Sequence, residues 1–468
     1  MDLRTKILTT SPNHQKITDA LAALKAAGAT AYYVGGCVRD AILDRSIKDI
    51  DIEVHGITLE SLQEILARFE TVALIGKSFG VLAWFESGID WSLPRTDSAG
   101  RKPQVTIDPQ LDIADALRRR DLTMNALAVN AHTGELIDPF GGLRDIEQKV
   151  LRAPDPRFFP EDPLRFYRVL QFAARFDMEP DAELRTLCAS MDLSGVAHER
   201  VADEYEKLML QSATPSRGFT VLQSFGRLTE LLPELGVLEN VPQDPRWHPE
   251  GDVFEHTMQA IDSAAHDRSE NIDRRILIYA TLCHDLGKAV TTVVTPEKIS
   301  SHGHEEAGIP LARALLRRMT TGNALIDPVL LLVRWHMSPG IFARQDAPPR
   351  AYKRLAYRLA PHTSLRMLAT LSYADRRGRN PVRGKPLTTD QPEVAEFIMR
   401  AQKAGVFDAP EAPIITGKDL LAHVQPGPKI GELVKHAYII QIEKGIRDRD
   451  ELIKRVLSGP IPVQSFEQ

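Results

Sequence analysis

A chain of 468 residues, 43% of them hydrophobic, has length for about three domains, each with a core of its own. A formal charge of −5 excludes a blanket nucleic-acid-coating protein, so any contact with RNA must come from local patches. Cys37, Cys188 and Cys283 form no CxxC pair, which excludes a cysteine zinc ribbon and fits a reducing compartment; with no apolar leader and no long apolar run, a soluble cytoplasmic protein is expected.

Residues 1–30 predict a helix with Ile17, Leu21, Leu24 and Ala27 on one face and Gly28 at its end. A short strand, Ala31–Val34, turns at Gly35-Gly36 into a helix and returns as the strand Ile50–Val54. The glycines let backbone approach a ligand, the helix that follows directs N–H groups at a phosphate, and Arg39 can add a bidentate contact. Asp49 and Asp51 are two apart, so both carboxylates leave one face of a strand, an arrangement that suits Mg²⁺ beside substrate phosphates. An amphipathic helix follows over 61–69, then a strand pair over 72–85 turning at residues 76–80. The strand Ile89–Leu93 places Asp90 beside the Asp49/Asp51 unit, with Glu53 as its rival for a third acid. Residues 98–113, broken by Gly100, Pro103 and Pro109, predict a loop, and Arg118–Arg120 predict a basic cluster at a helix start.

The prolines of 154–160 predict a linker, and Asp162 an N-cap opening a long helix with Leu164, Val169, Phe172, Ala173 and Phe176 as its buried stripe. Asp162 and Arg165, three apart, should meet on one face, either as a simple ion pair on a capped helix or as an acceptor and a donor imitating a base edge. Residues 181–240 read as further helices. Eight of the fourteen histidines then fall between His248 and His362, and His256, His284-Asp285, His304, His336 and Asp375 offer imidazole and carboxylate ligands for a borderline metal. Beyond residue 395, Pro426–Gly431 precedes a helix over 432–443, and the tail's Lys429, Lys435 and Lys444 serve either RNA contact or plain helix packing.

The combination GGCVRD…KDID, with RRRDLTMNA at 118–126 and EDPLR at 161–165, resembles the tRNA nucleotidyltransferase (CCA-adding) and bacterial poly(A) polymerase group of the polymerase β superfamily. The resemblance implies an α+β fold: a nucleotidyltransferase head with a small mixed sheet, then an elongated, mostly α-helical body. It implies Asp49, Asp51 and Asp90 as catalytic metal-holding acids. It implies nucleotide contacts from Gly36, Arg39, Arg120, Asp162, Arg165 and Arg168, with weaker roles for Asp121 and Asn125. In that family Asp162 and Arg165 would act as a protein template for C and A; Gln171, where many members have Arg, departs from the pattern. Residues 256–375 resemble HD-domain phosphohydrolases, implying His256, His284, Asp285 and Asp375 as ligands of a transition metal (Ni²⁺, Mn²⁺ or Co²⁺), His304 and His336 as further ligands, and Lys288 against the phosphate. The expected organisation is head 1–150, helical neck 151–240, HD domain 241–395 and tail 396–468. The expected function is CCA addition to tRNA from CTP and ATP, with Mg²⁺ in the head and a cyclic phosphodiesterase or phosphatase in the HD domain, as a monomer or homodimer with no membrane partner. Addition of only CC or only A, poly(A) synthesis, and an HD phosphohydrolase with an inactive head are the alternatives.

Overall fold

The computed structural model describes residues 2–75, 80–97, 105–267, 269–382 and 384–458, and of residues 96, 97 and 105 the backbone alone. Most of the expected 76–80 turn and residues 98–104 of the expected loop lie outside this set. The chain divides into two compact units: Met1–Glu204 with Arg217–Arg227, and Tyr205–Ser216 with Leu228–Gln468.

The expected N-terminal helix is two, α1 (Leu3–Leu8) and α2 (His14–Ala26). They are interrupted at Ser11-Pro12-Asn13, where the proline has no N–H to continue a helical ladder. Ile17, Leu21 and Leu24 are buried as the spacing predicts, but Ala27, already past the helix end, is exposed. The chain continues through β1 (Thr30–Val34), α3 (Gly36–Ile42), β2 (Ile50–His55), α4 (Leu59–Leu66), β3 (Val72–Ile75), β4 (Val81–Trp84) and β5 (Ile89–Ser92). A hairpin of β6 (Arg95–Asp97) and β7 (Val105–Ile107) replaces part of the expected loop, and α5 (Ile113–Arg118), β8 (Ala128–Asn130), β9 (Leu136–Ile137) and α6 (Gly142–Glu147) complete the head.

The head's sheet runs β3-β4-β5-β2-β1-β8-β9. Only β2 and β5 pair in parallel, so the sheet is mixed. Trp84 and Trp91, on adjacent strands, are fully buried and meet edge-on at 5.1 Å between ring centroids. Aromatic pairs in that geometry add attraction beyond the area they bury, and this one pins β5 to β4.

The same unit includes α7 (Leu164–Phe176), whose expected stripe is buried throughout. The residues before it are not a loose linker: Phe159 is buried and lies in a short 3-10 turn over Phe159–Glu161. Then come α8 (Ala182–Ser190), α9 (His198–Gln211), α10 (Ser216–Ser224), α11 (Leu228–Leu231) and α12 (Pro233–Gly236).

The second unit is built on α13 (Val253–His266), α14 (Arg274–Cys283), α15 (Lys288–Thr291), α16 (His304–Met319), α17 (Ile326–Trp335), α18 (Ser338–Arg344), α19 (Pro349–Leu359), α20 (Leu365–Arg377) and α21 (Pro392–Lys403). Asp252, Asp273 and Ser364 accept backbone N–H bonds at the starts of α13, α14 and α20, satisfying donors that a helix leaves open. The last helices, α22 (Gly417–Leu420), α23 (Pro428–Lys444) and α24 (Arg449–Ser458), share a small core of Leu420, Leu433, Leu452 and Val456. Among the described residues no helix is long and apolar enough to cross a membrane.

Two candidate active sites

The sheet sets the head's acids in one neighbourhood, but Asp49, Asp51 and Asp90 do not close to within reach of one shared ion. Asp51 stands opposite Asp90 in the parallel register of β2 and β5, so their side chains rise from one face. Asp49 lies one residue before β2 and is exposed, as is Asp90, while Asp51 is half-buried. Burial raises the Asp51 pKa, Arg120 opposes the rise, and Asp90 and Asp49 add to it; Asp90 is raised by burial and then by Asp49. The acids thus feel one another, and a cation among them relieves the repulsion, which is the donor set a hard divalent ion takes.

Gly35 makes the approach to this patch possible. It has φ +70°, and a Cβ placed on it would sit 2.6 Å from Nη1 of Arg120 and 3.9 Å from Oδ2 of Asp51. Arg120 also lies 3.7 Å from Oε2 of Glu53, which is buried and accepts from Nε2 of His55 at 3.1 Å. Burial would raise the Glu53 pKa, but His55, Arg120 and Arg119 hold it below the ordinary carboxylate range. Glu53, engaged in this way, anchors Arg120 from below, while Asp90 faces outward beside Asp51.

Arg118–Arg120 close a helix rather than open one: Asp112 caps α5, Arg118 ends it and Arg119 is its C-cap. The segment then passes through a 3-10 turn over Thr123–Asn125 into a buried relay. Arg39 Nη1 donates to Oδ1 of Asn125 at 2.7 Å, Asn125 Nδ2 to Oδ1 of Asp121 at 2.9 Å, and Arg168 Nε to Oδ2 of Asp121 at 2.6 Å. Burial raises the Asp121 pKa, yet Arg168 and Asn125 bring it down to about 2. Arg39 is only 6% exposed, bonds Asp40 and lies 4.6 Å from the Phe176 ring centre, so its guanidinium points into the fold.

Asp162 and Arg165 do not meet. Asp162 has φ −115° and ψ 102°, outside helical geometry, so the three-residue spacing does not bring the heads together, and α7 begins only at Leu164. The Asp162 carboxylate accepts from the Leu164 N–H at 3.0 Å and faces Nη2 of Arg200 at 3.3 Å. Arg165 donates to the carbonyls of Phe158 and Arg119. Gln171 is buried and accepts from Nη1 of Arg175 at 2.8 Å; burial, then Arg39, lowers the Arg175 pKa to about 10.

The second site gathers helix ends. His284 follows α14, His304 opens α16, His336 follows α17, and His256 and Asp375 come from α13 and α20. Gly287 permits the convergence: a Cβ there would lie 2.0 Å from the carbonyl oxygen of His304, so α16 rests directly on the turn after His284-Asp285. Each imidazole is oriented by its Nδ1. That of His256 meets Glu250 at 2.7 Å, and those of His284, His304 and His336 meet the carbonyls of Thr281, Ser301 and Val333 at 2.7, 2.8 and 2.6 Å. A proton on Nδ1 leaves the Nε2 lone pair facing inward. His284 and His256 then oppose Nε2 atoms 3.3 Å apart, and His304 and His336 at 3.1 Å, two contacts between acceptors that a cation resolves.

Asp285 joins the two pairs. Its Oδ2 lies 3.2 Å from His284 and 3.6 Å from His256, its Oδ1 3.3 Å from His304 and 3.8 Å from His336, while Lys288 sits 2.7 Å from Oδ2. Asp375 reaches His256 at 3.2 Å and is held by Arg379 at 2.9 Å. Burial works to raise both carboxyls, but the surrounding cations and donors hold them well below the usual range. Among the described residues, the groups close enough to share one ion all lie here: His256–His284–Asp285, Asp285–His304–His336, and His248–Glu250–His256. The donor sets fit divalent metals. The sequence reading missed His248, Glu250 and Arg379; His248-x-Glu250, just upstream of His256 in a histidine-rich stretch, was the available signal.

A mixed sheet with an acid pair on parallel neighbours, followed by a helical body with an HD cluster, defines a nucleotidyltransferase joined to an HD domain. Residues 31–152 match the Poly A polymerase head domain, 176–238 the probable RNA and SrmB-binding site of polymerase A, and 253–376 the HD domain. The Multifunctional CCA protein of Halorhodospira halophila is 34% identical over 423 residues, covering 87% of this chain and 94% of that protein. The chain belongs to the multifunctional CCA protein family. The fold is also similar to the Bacillus stearothermophilus CCA-adding enzyme in complex with CTP (20% identity, TM-score 0.63, 95% of this chain and 97% of that one). It is likewise similar to the Thermotoga maritima CCA-adding enzyme complexed with tRNA (19%, TM-score 0.60, 98% of each chain).

Proposed function

We propose that this protein completes the 3′ end of tRNA with C, C and A from CTP and ATP, without a nucleic-acid template, and that its HD domain hydrolyses phosphate esters. The observation that carries the first activity is the Asp51–Asp90 register beside Gly35 and Arg120. Asp49, Asp51 and Asp90 would hold Mg²⁺, whose chemistry in such a place is to activate the attacking 3′ hydroxyl and neutralise the pyrophosphate leaving group. Arg120, which lies against Gly35 and beside Glu53 of β2, meets the phosphates that Gly35-Gly36 admits. Asp162 and Arg165 read the base: Asp162 accepts from an exocyclic amine and Arg165 donates to ring acceptors once its arms leave the two carbonyls. Arg168, through Asp121 and Asn125, ties α7 to α3, with Arg39 as the inner strut. Gln171, where many members of the family have Arg, accepts from Arg175 one turn further along α7, and addition of only CC or only A stays the second reading.

In the HD domain His256, His284, Asp285 and Asp375, with His304 and His336, would hold Ni²⁺, Mn²⁺ or Co²⁺, which supplies an activated water. Lys288 keeps Asp285 ionised and steadies the phosphate. A 2′,3′-cyclic phosphate on a damaged tRNA end is the substrate that links the halves, since it blocks the hydroxyl the head extends. The domain reading is head 1–150, neck 151–240, HD domain 241–395 and tail 396–468, in a cytoplasmic protein. The test is incubation with tRNAs ending before CCA, after C and after CC, with each labelled triphosphate alone. Ordered addition of C, C and A is expected; incorporation of a single base type on every end overturns it.

A further inference from the structure

An exposed tryptophan stands on the loop that leads into the imidazole cluster, and neither candidate site uses it. The loop runs over 241–253 and is closed at its base, where the Val253 N–H donates to the Val241 carbonyl at 3.1 Å. Pro242, Pro245 and Pro249 restrict its shapes, and the Asp244 carbonyl accepts from the N–H groups of Trp247 and His248 at 3.0 and 2.9 Å. The Asp244 carboxylate takes Nε and Nη2 of Arg246, so the charges of this turn are paired. Trp247, within it, is 67% exposed.

Both flanks of Trp247 are tied to the cluster. Gln243 accepts from Lys288 at 2.8 Å, and Lys288 also holds Asp285. His248, the next residue, bonds Glu250 at 2.9 Å and meets the His256 ring edge-on at 4.9 Å. On the α15 side of the Gln243–Lys288 bond three more apolar residues are exposed: Val290, and Val293 and Val294 of a short hairpin with Ile299–Ser300. Thr292 and Ser301 close that hairpin through hydroxyls 2.8 Å apart, and the chain then enters His304. A single exposed apolar residue is ordinary, but an indole and three valines on segments joined by one hydrogen bond form a patch, of the kind that marks a binding surface. Lys288 and the imidazoles beside it suit a phosphate. A ligand that carries both a phosphate and a flat apolar group is a nucleotide, and bases of every kind stack on aromatic side chains.

We propose that Trp247 is the base platform of the HD site: the phosphate of the substrate lies at the imidazole cluster and Lys288, and its base stacks on the exposed indole. The proposal rests on the phosphate-ester reading above and adds to it a residue that selects nucleotides and RNA ends over esters without a base. In hydrolysis of a 2′,3′-cyclic phosphate, water adds to phosphorus, one P–O bond to the ribose breaks and that ribose oxygen takes the proton. The base takes no part in these changes, so Trp247 acts through binding alone.

The test compares two esters with the same reacting bond, adenosine 2′,3′-cyclic phosphate and methyl ribofuranoside 2′,3′-cyclic phosphate, on the full chain with Mn²⁺. Asp51→Ala is carried throughout to weaken phosphate binding in the head. Trp247→Ala should lower kcat/KM for the adenosine ester roughly tenfold to a hundredfold more than for the baseless one, chiefly through KM, and Trp247→Tyr should cost only a few-fold. An equal fall on both esters makes Trp247 a support of its loop and overturns the proposal, as does an unchanged ratio in a variant whose melting is intact. If neither ester is hydrolysed while Trp247 is present, the phosphate-ester reading fails, and calorimetric titration of the adenosine ester into the Mn²⁺-loaded protein decides the platform by itself. Binding at least tenfold weaker in Trp247→Ala upholds it; no binding, or equal binding, overturns it.

Discussion

In the head, three carboxylates stand at the starts of two strands, placed by the β2–β5 register, with Asp49 and Asp90 exposed and Asp51 feeling both of them and Arg120. In the HD cluster, His256, His284, Asp285 and His336 are each at most 2% exposed, and each imidazole is aimed by a bond on its far nitrogen. The first site is an exposed acid patch; the second is buried, with its imidazoles held by outer partners. Mg²⁺ retains waters and shares ligands with substrate, so an open acid patch suits it, whereas a transition metal held by imidazoles benefits from rigid outer partners. On the proposed reading, one chain carries two metal chemistries, and these should fail separately.

The largest effects test that separation. Asp51→Ala should bring nucleotide addition to background while hydrolysis of a 2′,3′-cyclic nucleotide with Ni²⁺, Mn²⁺ or Co²⁺ continues. His284→Ala should do the reverse, removing hydrolysis and leaving Mg²⁺-dependent addition intact. Paired assays on both variants decide the point: loss of both activities in either folded variant means the sites are coupled.

A smaller effect concerns choice rather than rate. Arg165→Ala should relax discrimination of CTP and ATP against UTP and GTP by roughly tenfold to a hundredfold, because a site that pairs with polar edges rejects analogues by leaving its own groups unpaired. An equal fall on all four triphosphates would instead assign Arg165 to holding the Phe158 and Arg119 carbonyls, to which it donates in the structure.

Glu250→Gln probes the pre-assembled site from outside. Glu250 is 4% exposed and bonded to His248 and His256; burial raises its pKa, but those two imidazoles bring it down to about 2. Removing the charge should free the His256 tautomer and cost about 10–100-fold in metal affinity, read by calorimetry of metal binding alone. Unchanged affinity would make Glu250 a packing residue.

What the sequence revealed and concealed follows the same division. Strand periodicity placed Asp49 and Asp51 on one face, but β2 starts only at Ile50 and leaves Asp49 just outside it; that Asp51 faces Asp90 depends on β2 and β5 pairing in parallel, which no local pattern encodes. The HD ligands were legible as residue types, but Glu250 acts through the far nitrogen of a ligand and leaves no ligand-like spacing. Asp162 and Arg165 misled because the i,i+3 rule holds only inside a helix, and Asp162 lies before one. The 118–120 cluster misled because three arginines carry no sign of direction, while Asp112, the actual cap, lies six residues upstream of Arg118.

The smallest expected effect is a difference in sign between the sites in metal-free protein. Burial raises the Asp51 pKa, as do Asp90 and Asp49, against the pull of Arg120. A carboxyl that titrates higher in the fold than in the unfolded chain contributes less stability as pH climbs past about 4. Asp375 is the opposite case: burial raises it, but Arg379 and His256 hold it well below its ordinary value, so its contribution is full above about pH 4 and is lost as pH falls further. In chelator at pH 7, Asp51→Asn should therefore raise the melting temperature by roughly 2–4 °C or less, and the gain should shrink toward pH 4. Asp375→Asn should lower it, with the gap closing only below about pH 4. Scanning calorimetry across that range reads both. If Asp51→Asn destabilises at neutral pH as Asp375→Asn does, the head's acids are part of its framework rather than an open patch awaiting a cation, and the contrast between the two sites fails.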